Sequence, residues 1–489
     1  MSRQGRLLVV SNRLPITIES VDDSNRLCPT SGGLVSALIP ILRESRGCWI
    51  GWTGIDYDET VAELVRNWGT EQSYSFIPIF LTAAERACHY RGFSNEIIWP
   101  LFHGLPSRCL FDSRYWNAYQ KVNLRFAAAV EGVSQPDDIV WVHDYHLMMC
   151  AQALRNRGLN GRVVYFHHIP FPSADVFAIL PWRIEILRGL MQFDTLGFQT
   201  TRDRHNFIAC LKRFLPGVRI SRIGETFLVR AENRCAIVGA FPISVDYEAF
   251  ALDASGPTVV GAAEAIQNGL GPVRIILGID RLDYTKGIPE RLNAFQALLK
   301  QNPQLRGQVT LLQIVVPSRE DIPEYVQLRF AIETRISRIN GEYGSPGWMP
   351  IHYLYRSVSR TELIAFYRAA DVALVTPLKD GMNLIAKEFC ASRVDGLGVL
   401  VLSEFAGAAE EMKCGALLVN PYDADTMAAV LELALRMDEQ EQRARMQNMR
   451  SQIREHNVFD WSRSFSDEDS IPAAAVAAVD TSSAPCAAA

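Results

Sequence analysis

The sequence predicts an α/β chain built as two successive doubly wound domains, and three observations predict it. Short β-branched runs alternate with helical patterns from the first residues onward. These runs are apolar throughout rather than alternating, so both faces of each sheet must be covered, which is the mark of a parallel sheet with helices on either side. The series also stops near residue 240 and begins again near residue 274.

In the first half, strands are expected at Leu7 to Val10, Trp49 to Trp52, Ser75 to Leu81, Ile139 to His143 and Val163 to His167. Between them Gly33 to Arg43, Tyr115 to Val130 and His146 to Arg157 carry apolar residues at helical spacing. From Arg219 to Ala240 two apolar stretches flank Glu232-Asn233-Arg234, a β-hairpin pattern. The small-residue segment Ala251 to Gly271 reads as the linker. A second series of strands follows at Arg274 to Gly278, Leu311 to Val316, His352 to Tyr355, Val372 to Thr376, Val399 to Leu402 and Ala416 to Val419, closed by a charged helix from Ala424 to Glu455. The expected domains are therefore 1–250 and 251–466, with an acidic, then Ala-, Ser- and Pro-rich tail at 467–489 expected to be disordered.

At 489 residues the chain exceeds what one core usually serves. Its 48% hydrophobic and 21% charged composition, with a formal net charge of −5, gives no pull toward polyanions, so nucleic acid is not an expected partner. The apolar run Leu7 to Val10 is too short for a secretory or membrane segment, and the ten cysteines form no Cys-x-x-Cys pair. A cytoplasmic protein with reduced thiols and no membrane partner is expected.

Chemistry should gather after strands, where doubly wound sheets bind ligands. After the strand ending at Gly278 comes Arg281-Leu282-Asp283-Tyr284-Thr285-Lys286-Gly287 and then a helix. Two cations beside a helix N-terminus suit a diphosphate, although such a pair can also be plain surface charge. After Thr376 comes Asp380-Gly381-Met382-Asn383-Leu384-Ile385-Ala386-Lys387-Glu388. There Asp380 is expected to cap a helix, Gly381 to admit a ligand near the backbone, and Glu388 to reach ribose hydroxyls; the bland alternative is an N-cap and an ordinary solvent-facing carboxylate.

In the first half, His143-Asp144-Tyr145-His146 and His167-His168-Ile169-Pro170 each follow an expected strand. No closed ligand set for zinc emerges from these histidines. Asp144 and His168 suit sugar hydroxyls, while His143 and His167 read as buried core histidines. Arg13 ends the first strand and Ser31-Gly32-Gly33 opens the next helix, a weak anion cradle taken alone. No dinucleotide fingerprint follows the first strand and no Walker A motif occurs. The Asp-x-Asp pairs at Asp56, Asp423 and Asp467 read as solvated turns rather than metal sites.

Taken in this order, Ser11 to Pro15, Ser31 to Leu34, Trp49 to Trp52, Tyr90 with Ser94-Asn95 and Trp99-Pro100, the two histidine stretches, Arg281 to Gly287 and Asp380 to Glu388 resemble the trehalose-6-phosphate synthases. The likeness runs from about Leu7 to Asp467. It implies two facing Rossmann-like domains, the GT-B architecture, with the active site in the interdomain cleft. It implies glucose transfer from a nucleotide-glucose, UDP-glucose before ADP- or GDP-glucose, to glucose 6-phosphate with retention of configuration.

Residue by residue, the resemblance implies that Arg281 and Lys286 bind the donor diphosphate, Glu388 the ribose, and Asp380 and His168 the transferred glucose. Gly381, Met382, Asn383 and Leu384 complete the donor loop, with Gly33 beside it. Arg13, Trp52, Tyr90, Trp99 and Arg319 are implied to hold glucose 6-phosphate, with Asp144 near the acceptor sugar. No carboxylate pair of the kind that retaining glycosidases use stands out. The resemblance instead implies that the departing phosphate takes the acceptor proton while Arg281, Lys286 and helix amides stabilise its charge, so that no metal cofactor is expected. The partners implied are these two substrates, with room for a homo-oligomer.

One departure lies at Gly104-Leu105-Pro106-Ser107-Arg108, where many members of the family carry Tyr and a basic residue. It keeps open a glucosylglycerol-phosphate synthase using ADP-glucose and glycerol 3-phosphate. A non-catalytic regulatory subunit is the alternative of another class, against which every expected ligand position is filled.

Overall fold

The computed structural model describes residues 5–21, 24–29, 33–70, 73–320 and 322–466. Ser31, Gly32 and the 467–489 tail lie outside the described residues. The chain divides into two compact units, Met1–Pro242 with the segment from Phe459, and Ile243–Val458. The division falls ahead of the 250/251 boundary read from the sequence, and the last helix, Val458–Ser466, belongs mostly to the first unit instead of closing the second. The reason is Trp461, 4% exposed, whose ring lies 4.9 Å from that of Trp141 and 5.0 Å edge-on from that of Phe166. Burying an aromatic of this size gains on the order of 1.5–3 kcal/mol.

The first unit contains β1 (Leu7–Arg13), β2 (Ile16–Val21), β3 (Ser24–Pro29), β4 (Cys48–Trp52), β5 (Ser75–Ile79), β6 (Ile139–His143), β7 (Val163–His167), β8 (Thr195–Phe198), β9 (Arg219–Ile223), β10 (Thr226–Ala231) and β11 (Arg234–Ala240). Nine of these form one sheet in the order β5-β4-β1-β6-β7-β8-β11-β10-β9, and β2 pairs with β3 as a separate hairpin. From β5 to β11 the pairs are parallel; β10 and β9 extend the sheet antiparallel. The expected hairpin is thus a three-strand element, because β9 also pairs with β10, and the pairing of β11 with β8 joins it to the parallel part of the sheet. The chain winds outward from β1 to β5, then returns to place β6 on the other side of β1. That reversal is a topological switch point.

The second unit contains β12 (Arg274–Arg281), β13 (Val309–Val316), β14 (Ile351–Tyr355), β15 (Val372–Val375), β16 (Val399–Ser403) and β17 (Leu417–Val419), all parallel in the order β14-β13-β12-β15-β16-β17. Its switch point lies between β12 and β15. Leu298, Leu311, Ile332 and Leu431 are all 0% exposed in the core between sheet and helices. The segment expected to be a linker is instead two helices, Tyr247–Ser255 and Pro257–Leu270, in which Ala254, Val259 and Ala263 are buried. The charged helix is likewise two, Ala424–Arg436 and Glu439–Glu455, the second begun by Asp438, whose carboxylate accepts from the Glu441 amide at 2.9 Å. Among the described residues no helix is long and apolar enough to cross a membrane.

Candidate functional site

In the first unit, Arg13 ends β1 and Asp144 follows β6, so the two flank its switch point. Asp144 has φ 72° and ψ 168°, a region that glycine alone occupies freely and that costs another residue about 1–3 kcal/mol. The strand end over-determines it. Its amide donates to the Phe166 carbonyl at 2.8 Å, its carbonyl accepts from the Leu147 amide at 3.1 Å, and Oδ1 accepts from the His168 amide at 3.2 Å. The Asp144 carboxylate is thereby fixed beside the end of β7.

His168 is held from the other side. Its Nε2 lies 3.0 Å from Nδ1 of His143, which is fully buried at the end of β6. One ring must donate to the other, so at least one proton position is set by the pair. Burial pushes the His168 pKa down to about 3, that of His167 to about 3, and that of His143 well below the ordinary imidazole value. These rings are neutral at working pH and act as hydrogen-bonding groups. His143 and His167 are core histidines, as their sequence context suggests, but His143 also positions His168, a role that context does not reveal.

A second cluster lies at the ends of β1 and β4. The Arg13 guanidinium lies over the Trp52 ring, 4.6 Å from its centroid, and the Trp52 ring is 5.7 Å from that of Tyr90. Tyr90 sits in a π-helix, Arg86–Ile98, the kind of i→i+5 winding found at functional sites. Its ring stacks 6.0 Å from His146, and its carbonyl accepts from Asn95 Nδ2 at 2.7 Å. Asn95 Oδ1 in turn accepts from the Tyr145 hydroxyl at 3.2 Å, and Trp99, 5% exposed, packs 5.8 Å from the Tyr145 ring. The cation, the phenol and the two indoles expected from the sequence therefore share one framework. Gly33 is the first residue of the helix Gly33–Ser45.

In the second unit, Arg281 is the last residue of β12, exposed, and a 3₁₀ turn at Tyr284–Lys286 leads into the helix Ile288–Gln301. Gly287 joins them at φ 64°, and a Cβ there would meet the Thr376 carbonyl oxygen at 2.2 Å, so only glycine lets this loop lie against the end of β15. The ammonium of Lys286 meets the carboxylate of Asp380 from the β15 loop. Arg319, in the loop after β13 with φ 52°, pairs with Asp283 at 3.4 Å and with the Tyr325 hydroxyl. Burial opposes the charge on Asp283, but Arg319 and then Lys286 prevail and hold its pKa below the ordinary carboxylate value. Arg281, Lys286 and Arg319 thus act together on buried Asp283, and Lys286 also pairs with partly buried Asp380.

Asp380 does not cap the following helix. Asn383, at φ 75°, precedes the helix Leu384–Ser392, and its Nδ2 donates to Asp380 at 3.2 Å. The reason is the competing ammonium of Lys286, together with a backbone pinned to the neighbouring loop: the Gly407 amide donates to the Asp380 carbonyl at 3.2 Å and the Ala408 amide to that of Met382 at 2.8 Å. Gly381 and Met382 are buried in this loop. Among the described residues no side chain caps the first amides of the helix at Leu384, the condition under which a helix N-terminus can receive an anion. Glu388 is no ordinary solvent-facing carboxylate: Oε2 accepts from the Tyr367 hydroxyl at 2.8 Å, burial raises its pKa, and among the described residues Oε1 takes no hydrogen bond.

Asp283, Tyr325 and Tyr367 support this site without having been singled out in the sequence. Asp283 lies inside the cationic loop, which is the one signal available; the two tyrosines come from helices far along the chain and carry none. Among the described residues no group of three or more His, Cys, Asp or Glu side chains is placed to hold a metal ion.

A family model described as Glycosyltransferase family 20 matches residues 5–470. The chain is 43% identical over 473 residues to a trehalose-6-phosphate synthase of Mycobacterium avium, covering 94% of each chain. It matches a solved E. coli structure, described as trehalose-6-phosphate bound with UDP-2-fluoro glucose, with a TM-score of 0.85 and 36% identity over 94% of this chain and 98% of that one. A UDP-forming alpha,alpha-trehalose-phosphate synthase of Burkholderia xenovorans, in complex with glucose 6-phosphate, matches with a TM-score of 0.85 and 35% identity over 94% and 99%.

Proposed function

The chain belongs to glycosyltransferase family 20, and on that premise we propose that it transfers glucose from UDP-glucose to glucose 6-phosphate, giving α,α-trehalose 6-phosphate and UDP with retention of configuration. The observation that carries the reading is the pairing of Lys286 with Asp380 at the switch point of the second unit, next to Arg281. In this reading the diphosphate takes the ammonium and guanidinium, Asp380 turns to hydroxyls of the glucose, and the free oxygen of Glu388 accepts from the ribose.

The chemistry needs no protein nucleophile. The anomeric hydroxyl oxygen of glucose 6-phosphate forms the bond to C1 of the donor glucose as the bond from C1 to the β-phosphate oxygen breaks. The hydroxyl proton passes to the departing phosphate. Arg281, Lys286 and the amides at Leu384 stabilise the charge growing on that phosphate, a preorganised arrangement that costs no reorganisation during the reaction. Neutral His168 and Asp144 orient sugar hydroxyls. Arg13 with Tyr90 beside Trp52 and Trp99 is assigned to the acceptor, as is Arg319, and Gly33 to the donor side.

The test is a matrix of UDP-, ADP- and GDP-glucose against glucose 6-phosphate and glycerol 3-phosphate, run with and without EDTA, reading nucleotide release and product mass. UDP-glucose with glucose 6-phosphate should turn over fastest and survive EDTA. Preference for ADP-glucose with glycerol 3-phosphate, no turnover with any pair, or loss with EDTA that Mg²⁺ restores would each overturn the corresponding part.

A further inference from the structure

Away from the switch point of the second unit, the helix Glu439–Glu455 presents a continuous donor face. Arg443, Gln447, Arg450, Ser451 and Arg454 fall four, seven, eight and eleven residues from the first, the spacing of one helical side. With Tyr247 and the loop Val394 to Gly396 they line a cleft of about 390 Å³. Tyr247 is buried, and the guanidiniums of Arg450 and Arg454 lie 5.2 and 5.6 Å from its ring centroid.

The charge in this cleft is not balanced. Asp395, the acidic group of the lining, spends its carboxylate on Arg368 and Arg393, each at 3.2 Å. Arg454 and Arg443 meet Glu248 at 2.9 Å and Glu439 at 3.4 Å, all four side chains more than half exposed, where such pairs contribute little. Among the described residues Arg450 pairs with no carboxylate; its Nη1 donates to the carbonyls of Cys390 at 2.9 Å and Ala391 at 2.7 Å. Three guanidiniums crowding one polar cleft, one of them without a counter-charge, suit an anion with several acceptor oxygens.

The carbonyls that Arg450 caps end the helix Leu384–Ser392, the helix whose first residues follow Asp380 and whose middle carries Glu388. We propose that this cleft is a second anion site, for a phosphate dianion free or carried by a small metabolite, and that its occupancy changes donor affinity. Drawing Arg450 toward the anion competes with its hold on Cys390 and Ala391 and shifts the helix that bears Glu388.

Inorganic phosphate also suits the substrate sites, so the titration is made in a background where those are disabled. By calorimetry, Arg13→Ala/Lys286→Ala should retain one phosphate site per chain, and adding Arg443→Ala/Arg454→Ala should weaken it at least tenfold. Glucose 1-phosphate in parallel separates the two sources: tighter binding than inorganic phosphate assigns a carried phosphate, weaker binding a free one. Phosphate should change UDP affinity at least threefold more in the wild type than in Arg443→Ala/Arg454→Ala. Circular dichroism and melting establish that these exposed substitutions leave the fold intact, whereas Arg450, which caps a helix, is left in place. No binding in the first background, or equal binding after the arginines are removed, overturns the site; binding with no change in UDP affinity overturns the coupling.

Discussion

Lys286 and Asp380, 94 residues apart in the sequence, meet as an ion pair between the loops that follow two adjacent strands, β12 and β15. The pair keeps the ammonium in place before any substrate arrives, so little side-chain ordering is left for binding to supply. Under the proposed function, each partner exchanges this protein contact for a substrate contact during turnover.

If Lys286 stabilises the leaving phosphate as proposed, Lys286→Ala removes charge where negative charge grows toward the transition state, so kcat should fall together with donor affinity. A lost charge-assisted bond is worth about 1.5–3 kcal/mol, or ten- to a hundred-fold in kcat/KM for UDP-glucose. Steady-state kinetics with varied donor check this. A rise in KM alone, with kcat unchanged, would remove Lys286 from the charge-stabilising role.

Arg319→Ala should raise the KM for glucose 6-phosphate about ten- to a hundred-fold with little change in donor KM. The structure adds a second readout, because Arg319 is the main cation holding buried Asp283 ionised. A carboxylate with a depressed folded pKa stabilises the fold above its unfolded value, about 3.9, and loses that contribution as the pH falls through the folded one. The stability gap between wild type and Arg319→Ala should therefore be constant near neutral pH and narrow below about pH 4. Denaturant melts at pH 7 and pH 3.5 measure it; a gap that widens in acid contradicts the pairing.

Much of this was legible in the sequence because the chemistry follows parallel strands. Arg281 to Lys286 and Asp380 to Glu388 could be placed at strand ends from the apolar runs alone, and Ile139–His143 and Val163–His167 fall where the pattern puts them. Long-range geometry was not legible. Asp380 looks like an N-cap until Lys286 is seen to claim it, and Glu388 looks solvated until Tyr367 is brought to it from another helix. The small-residue segment after Ala251 looks like a linker since Ala and Gly suit both a tether and a close-packed helix; the buried Val259 and Ala263 decide for the helix.

Three fully buried histidines predict acid sensitivity. Burial lowers the pKa of His89 to about 4 and of His167 to about 3, and holds that of His143 well below the ordinary imidazole value. Each ring is neutral when folded, while the unfolded chain binds protons below about pH 6.5. The unfolded state therefore gains protons first, and stability falls as the pH drops from about 6.5 toward the folded values, by about 1.4 kcal/mol per pH unit and ring. At pH 5.5 the three together should cost about 4 kcal/mol relative to pH 8. Thermal melts across that range should show a steep loss; a flat profile would mean the rings are charged in the folded protein.

The backbone of Asp144 yields the sharpest test, since it opposes two well-known preferences. In ordinary positions glycine is less stable than alanine by roughly 0.5–1 kcal/mol, because the unfolded chain has more freedom to lose. At φ 72° and ψ 168° the alanine Cβ keeps the steric conflict that Asp144 now bears, while glycine relieves it. Both substitutions delete the same acceptor for the His168 amide, so that loss cancels in the comparison. Relief of about 1–3 kcal/mol outweighs the entropic penalty, and Asp144→Gly should be more stable than Asp144→Ala by on the order of 1 kcal/mol. Activity should fall in both, since neither carries the carboxylate assigned to the sugar hydroxyls. Paired denaturant titrations with steady-state kinetics measure the two quantities on the same samples. If Asp144→Ala proves the more stable, this backbone is not strained in solution, and the carboxylate is held by its hydrogen bonds alone.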